Sequence, residues 1–410
     1  MSRLLDRFLR YVRVGTTADE KSTTYPSSPG QRVLGKLLLD ELLEMGVRDA
    51  LQDENGIVFG TVPPTVVHAA PTVAFVAHVD TSPETTGEGV EPIVHASYDG
   101  KDIVLPGDPT KVLRATDPDL AKLVGQTIIT TDGTTLLGGD DKAGVAVIME
   151  AAHRLMEEPD RPHGPIRVCF TCDEEVGHGV DHVHLETLGA QVAYTLDGSG
   201  VGEIDIETFS ADLATVTIIG TNIHPSIGKG RMVNAVRLAG LFLDRLPRTE
   251  QAPEVTEDRE GFLHPYTIEG GVGKVTIRIL LRDFDTPKLA ERAELLNRAA
   301  RAVEQECPTA SINVKVAPQY RNMADGLLKE PRAAAFAEEA MRRVGLTPKL
   351  TIVRGGTDGS RLTEKGLPTP NLSTGEHNIH SPLEWTCLEE METAVRVVME
   401  LAGVWGQERA

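Results

Sequence analysis

The sequence predicts an α/β fold: a mostly parallel sheet with helices on both faces, into which a second, α+β domain is inserted. Three observations predict it. Residues 73–77, 166–171 and 192–196 are short apolar runs without polar alternation, as expected of strands buried on both faces. Helical patterns lie between and around them, at 31–45, which stops at Gly46, and at 143–156, which follows Gly138-Gly-Asp-Asp141. Strands alternating with helices imply a parallel sheet covered on both sides. The character then changes near residue 208, where strand patterns at 214–219, 274–281 and 311–316 enclose helix patterns at 232–246 and 287–305. That β-α-β-α-β order fits a four-stranded α+β module whose fourth strand is not legible. The domains expected are 1–207 and 319–410 for the host and 208–318 for the insert.

The remaining elements follow in order. Leu4, Leu5, Phe8, Leu9 and Val12 share one helical face with arginines between them, an amphipathic surface helix rather than a signal peptide. Residues 81–135 are polar and rich in Gly and Pro, which suits hairpins over the sheet's rim. A long amphipathic helix at 388–404 closes the chain.

Composition excludes several functions. Among 410 residues, 61 are acidic and 41 basic, for a net charge of -20, which argues against nucleic acid or an anionic membrane as partner. No stretch reaches the roughly 18 apolar residues of a spanning helix. The four cysteines, Cys169, Cys172, Cys307 and Cys387, are too few for a disulfide scaffold. Cys169-x-x-Cys172 has no second pair for a thiolate zinc site, so a cytoplasmic location is expected. Gly87-x-Gly89 and Gly270-Gly-Val-Gly273 open no helix, so no nucleotide loop is expected.

The chemistry concentrates where the strands end. The first apolar run delivers His78-Val-Asp80, the second Asp173-Glu-Glu175 and the third Asp197; Asp140 opens a helix and His380 lies near the C-terminus. In parallel sheets, ligands sit beyond the carboxyl ends of the strands. Imidazole and carboxylate are the ligands that suit zinc when no thiolate is present. Repulsion among Asp140, Glu175 and Asp197 on one rim would be costly without a cation. Of the adjacent Glu174 and Glu175, one can bind metal while the other stays free as a general base. Asp80 can accept the second ring N–H of His78 and fix its tautomer.

His-x-Asp after an apolar strand, Gly138-Gly-Asp-Asp-Lys-Ala-Gly144 and Thr171-Cys-Asp-Glu-Glu-Val-Gly177 resemble the co-catalytic zinc peptidases that include aminoacylase, carboxypeptidase G and succinyl-diaminopimelate desuccinylase. The likeness extends over essentially the whole chain, through His78-Val-Asp-Thr-Ser-Pro83, Lys229-Gly-Arg-Met-Val-Asn-Ala235, Arg282-Asp-Phe-Asp285 and Arg354-Gly-Gly-Thr-Asp-Gly359. It implies the zinc exopeptidase type of fold, with the insert as a lid. It implies one Zn2+ held by His78, Asp140 and Asp197, and another by Asp140, Glu175 and His380. Glu174 would be the proton acceptor and Asp80 the group behind His78. His224 would polarise the substrate carbonyl, and Arg282, with Arg354 from the host domain, would meet the peptide carboxylate. The implied function is aminopeptidase action on short peptides with a free N-terminus, tripeptides above all, by a monomer or a homodimer paired through the lid. The alternatives are an N-acyl amino acid deacylase or dipeptidase with the same metals, or a non-catalytic zinc-binding protein.

The chain departs from the family pattern at three places. His224-Pro-Ser226 stands for His-Pro-Gly, Cys172 for a proline, and Glu376-His-Asn-Ile-His380 for Gly-Tyr-Asn-Tyr-His. His377 thereby adds an imidazole near His380. Cys172 reads as a small buried hydrophobe, and Asp181-His-Val-His184 as part of a surface helix without a metal.

Overall fold

A computed structural model describes residues 2–410. The chain forms two compact units, one running to Ile206 and including Met323–Thr351 and Thr357–Ala410, the other comprising Glu207–Asn322 and Ile352–Gly356. The insert expected at 208–318 thus stops too early, because the strand Ser311–Tyr320 keeps pairing after its apolar alternation has ended.

The first unit is built on an eight-stranded sheet. Its order is Leu51–Gln52, Val58–Val62, Ile166–Thr171, Val73–His78, Val192–Thr195, Asn371–Leu372, Glu203–Thr208 and Lys349–Val353. The three apolar runs lie side by side and parallel at its centre, with Val73 opposite both Ile166 and Val192. Asn371 adds a parallel pairing to Thr195, and the pairs Val58–Val62 with Ile166–Thr171 and Glu203–Thr208 with Asn371–Leu372 are antiparallel. Because the central strands start level and are nearly equal in length, their carboxyl ends form one rim. Both faces are apolar: Val73, Phe75, Ala77, Val168, Phe170 and Tyr194 join one core cluster, while Ala74, Val76, Cys169 and Ala193 join another. The period-two alternation sends successive side chains to opposite faces, so a strand covered twice must be apolar throughout.

The larger cluster takes in helices Arg3–Val12, Pro29–Glu44, Gly139–Glu157, Arg332–Arg343 and Leu388–Gly406. The smaller takes in Leu188 and Leu362 from the short helices Leu185–Leu188 and Asp358–Glu364. Pro29–Glu44 ends as its glycine predicts, Gly46 having φ 92°. Gly144, on the helix Gly139–Glu157, has no room for a side chain; a methyl there would overlap the Leu196 carbonyl oxygen and the Asp141 carboxylate. This glycine lets the helix that follows Asp140 lie directly against the strand end that leads to Asp197.

Within 81–135 the chain forms the hairpin of Ile103–Val104 with Val112–Leu113. Ile93–His95 and Ile128–Thr130 join an antiparallel sheet with Trp385–Cys387 and Glu376–His377. Asp181–His184 lies in turns rather than a helix, with Asp181 bonded to His178 and His184 capping Leu185–Leu188.

The second unit is a four-stranded antiparallel sheet in the order Phe262–Gly271, Lys274–Asp283, Ser210–Ile219, Ser311–Tyr320. Helices Ala235–Asp244 and Thr286–Glu306 pack on it around Val216, Phe242, Ile277, Leu296 and Val303. Phe262–Gly271 is the strand the sequence does not reveal. It is an edge strand with mostly exposed residues, and its register shifts between Pro265 and Thr267, so no alternation survives.

Gly144→Ala should destabilise the first unit by about 1–3 kcal/mol through overpacking. Urea unfolding at wild-type midpoint would show that helix and strand can part without cost.

Candidate metal centre and active site

Each group on the rim is held by a local device. His78 ends its strand in register with Thr171, and its backbone N–H donates to Asp141 Oδ2 at 3.0 Å. Beyond Thr171 the chain turns sharply: Asp173 has φ 61° and leads into a 3-10 turn at Glu174–Val176. That turn is anchored from two sides. Asp173 accepts hydrogen bonds from the Ser27 backbone N–H (2.6 Å) and Gln31 Nε2 (2.6 Å). The fully buried Asp80 accepts from the backbone N–H groups of Glu174 and Glu175, both at 3.1 Å. Asp197 is held through its main chain, since Asn371 Oδ1 accepts from its N–H at 3.1 Å and Asn371 Nδ2 donates to its C=O at 2.7 Å. His380 sits in the loop between Glu376–His377 and Trp385–Cys387, where Thr85 Oγ1 donates to its carbonyl at 3.0 Å.

These devices converge on Asp140. Its Oδ1 lies 2.9 Å from His78 Nε2 and its Oδ2 3.1 Å from His380 Nε2. Asp197 Oδ1 is 3.9 Å from the same His78 nitrogen, and Glu175 Oε2 is 3.0 Å from the same His380 nitrogen. Two sets of potential ligands result, His78–Asp140–Asp197 and Asp140–Glu175–His380, with Asp140 common to both. The other nitrogen of His78, Nδ1, is 3.1 Å from the Asp80 carbonyl oxygen and 3.4 Å from its Oδ1.

The electrostatics fit a cation. Burial, reinforced by Asp140, pushes the carboxyls of Glu175 to about 7 and of Asp197 well above the usual range. Burial opposes charge on both imidazoles, yet Asp140 and Glu175 outweigh it at His380, raising it to about 11, and Asp140 and Asp80 do so at His78. Burial likewise opposes the Asp140 charge, but the two imidazoles hold its carboxyl below the usual range. Positive charge is thus drawn into the space between these groups. Glu175 Oε1 is buried without a hydrogen-bond partner, an orphan that a cation would satisfy. The donor set of imidazoles and carboxylates suits zinc.

Glu174 belongs to neither set, and burial pushes its carboxyl well above the usual range. All seven rim residues singled out from the sequence, His78, Asp80, Asp140, Glu174, Glu175, Asp197 and His380, lie in the first unit. His224, Arg282 and Arg354 belong to the second. His224 is exposed, and its Nδ1 bonds to the Ser226 hydroxyl at 2.7 Å, a partner a glycine would lack. Arg282 is buried, with Nη1 donating to the Leu281 (3.1 Å) and Asp212 (3.4 Å) carbonyls and its guanidinium over the Tyr320 ring. Arg354 does not belong to the host domain as expected. Its guanidinium donates to the carbonyls of Asp258 (2.8 Å), Glu260 (3.0 Å) and Thr256 (3.3 Å) and lies over Phe209 and Phe262.

His377 stays out of both sets. It stacks on Trp385 at 3.8 Å and bonds Glu390 Oε2 at 2.8 Å. Cys172 is a buried thiol in the larger apolar core cluster. Sequence reasoning gave no role to Asn371, Asp141, Glu376, Asp358 or Glu384. Glu376 forms a third acidic group with Asp141 and Asp197, and it accepts from Thr374 Oγ1 at 2.7 Å. Asp358 accepts from Thr171 Oγ1 at 2.6 Å, and burial raises its carboxyl to about 6. Burial raises Glu384 to about 7 against three backbone N–H donors. Of these, Asp141, Asp358 and Glu376 fall inside motifs already singled out and Glu384 lies four residues after His380, so only Asn371 had no positional signal.

Fold and site together define a metal-dependent hydrolase of the peptidase class. Residues 131–403 match the family described as Peptidase family M20/M25/M40. A peptidase T from Halothermothrix orenii is 42% identical over 402 residues, 98% of both chains. One from Bacillus subtilis is 43% identical over 401 residues, 97% of both. A solved tripeptidase structure from Staphylococcus aureus superposes with a TM-score of 0.78 at 24% identity, covering 99% of this chain and 98% of that one. The chain belongs to the M20 peptidase family, in its peptidase T branch.

Chelation should lower the thermal midpoint by restoring carboxylate repulsion at the rim. Zinc at 100 times its Kd should return about 2.7 kcal/mol per site. A midpoint indifferent to both treatments would leave the cluster without a cation.

Proposed function

We propose that this chain is a cytoplasmic two-zinc aminopeptidase that removes the N-terminal residue from short peptides, chiefly tripeptides. The observation that carries the proposal is the shared Asp140, which presents one oxygen toward each imidazole while Glu174 remains outside both sets of ligands. The peptidase T and tripeptidase names of the relatives support the substrate class. Among the described residues no helix is long and apolar enough to cross a membrane, which accords with the proposed location.

Two zinc ions held by His78, Asp140, Asp197, Glu175 and His380 would supply Lewis-acid polarisation of the scissile carbonyl and acidify water. The chain's own residues do the rest. Glu174, whose carboxyl burial pushes well above the usual range, takes a proton from the attacking water and returns it to the leaving amine. Asp80 holds the main chain of both glutamates, so the proton acceptor and its metal-binding neighbour keep separate directions. It also faces His78 Nδ1, leaving Nε2 toward Asp140. Asn371 sets the direction of Asp197 through its main chain.

Glu174→Gln should keep both zinc ions and lower kcat roughly 10²–10⁴-fold. Loss of metal in proportion to activity would make Glu174 a ligand instead. Mass spectrometry of products from a tripeptide, its N-acetylated form, the matching dipeptide and the acetyl amino acid tests the substrate. Cleavage of the free tripeptide alone is expected. Cleavage of the acetylated forms would move the function to a deacylase, and no product with zinc bound would leave a binding protein.

A further inference from the structure

Glu384 has the features of a working group but no place in the chemistry above. It is 1% exposed, and its two oxygens accept three main-chain hydrogen bonds from a single loop. Oε2 takes the N–H groups of Leu137 (2.7 Å) and Gly138 (2.8 Å), and Oε1 takes that of Asp140 (3.0 Å). Converging backbone N–H groups form an anion cradle, here filled by a side chain from a remote segment. The two glycines allow it. Gly138 has φ 80°, and a Cβ on Gly139 would stand 3.1 Å from Glu384 Oε1. On its own strand of chain, the Glu384 N–H donates to the Ser381 carbonyl at 3.1 Å, closing a turn directly after His380.

One carboxylate therefore ties the segment that carries Asp140 to the segment that carries His380, two residues 240 positions apart whose side chains meet at 3.1 Å. We propose that Glu384 is a positioning residue for the metal centre, which sets the separation of Asp140 and His380 through the 137–140 main chain. The proposal rests on the metal-centre reading above and extends it to a residue that binds neither metal nor substrate. A carboxylate suits the task because it only accepts, and every group aimed at it is a donor. A glutamine would keep the size but turn an N–H2 toward a backbone N–H.

The test compares Glu384→Gln with Glu389→Gln. Glu389 makes the same kind of tie in the neighbouring segment, accepting from Thr127 N–H (2.8 Å) and Oγ1 (3.0 Å), but holds no rim residue. Metal-free protein is titrated with Co2+ while the visible absorption of the bound ion is recorded, and tripeptide kinetics follow. Glu384→Gln should bind about 10–100-fold more weakly, with an altered absorption band, and kcat should fall with KM little changed. Glu389→Gln should match wild type in absorption and kcat. If Glu384→Gln does not fold, judged by circular dichroism of the metal-free protein, Glu384→Asp takes its place, with the same loss expected from its shorter reach. Wild-type affinity, band and kcat in the Glu384 variant would overturn the proposal. So would equal losses in both variants. Failure of wild type to bind Co2+ would instead overturn the metal-centre reading itself.

Discussion

Carboxylates crowd one rim of a buried sheet in this protein, and the surrounding structure is arranged to keep them there. Asp140, Glu175 and Asp197 repel one another in a place where water screens them poorly. His78 and His380 draw near from opposite sides of Asp140, and their raised affinity for protons shows how strongly the rim attracts positive charge. Left to themselves the acidic side chains would turn outward. They are held instead through their main chains: Glu174 and Glu175 by Asp80, Asp197 by Asn371, and Asp140 by Glu384. Fixing the backbone rather than the carboxylate leaves the carboxylate oxygens for the cation.

The same constraint explains the turn geometry. Gly138 and Asp173 turn the chain sharply through the left-handed region, and Gly144, without a side chain, lets its helix approach the Leu196 carbonyl. They stand two residues before Asp140, directly before Glu174, and between the helix and the Asp197 strand. Rigidity of this kind is what a polarising centre requires, because a shift of about 1 Å in a reacting group is felt strongly in rate.

The second unit is organised differently. Its antiparallel sheet packs its two helices around one apolar cluster. Arg354 shows how easily motif reading misplaces a residue. In the sequence it sits beside the first unit's Thr357 and Asp358 and looks like a free cation for a substrate. In the structure its guanidinium is spent on the carbonyls of residues 256–260.

The sequence by itself determined the three central strands of the first unit, three of the four strands of the second, most helices and the seven rim residues. Buried parallel strands are uninterrupted apolar runs, and a polar residue that ends such a run has only the rim to occupy. It could not show the edge strand Phe262–Gly271, where a register shift and solvent exposure erase the alternation. Nor could it show what Asn371, Asp358 or Glu384 hold, since a carboxylate or amide that bonds a remote segment leaves no periodic trace. Which imidazole joins the centre was likewise a tertiary decision. His377 and His380 are three residues apart, but only the fold stacks the first on Trp385 and turns the second toward Asp140. Local spacing carries the residue types of a site, and long-range hydrogen bonds decide which of them face each other.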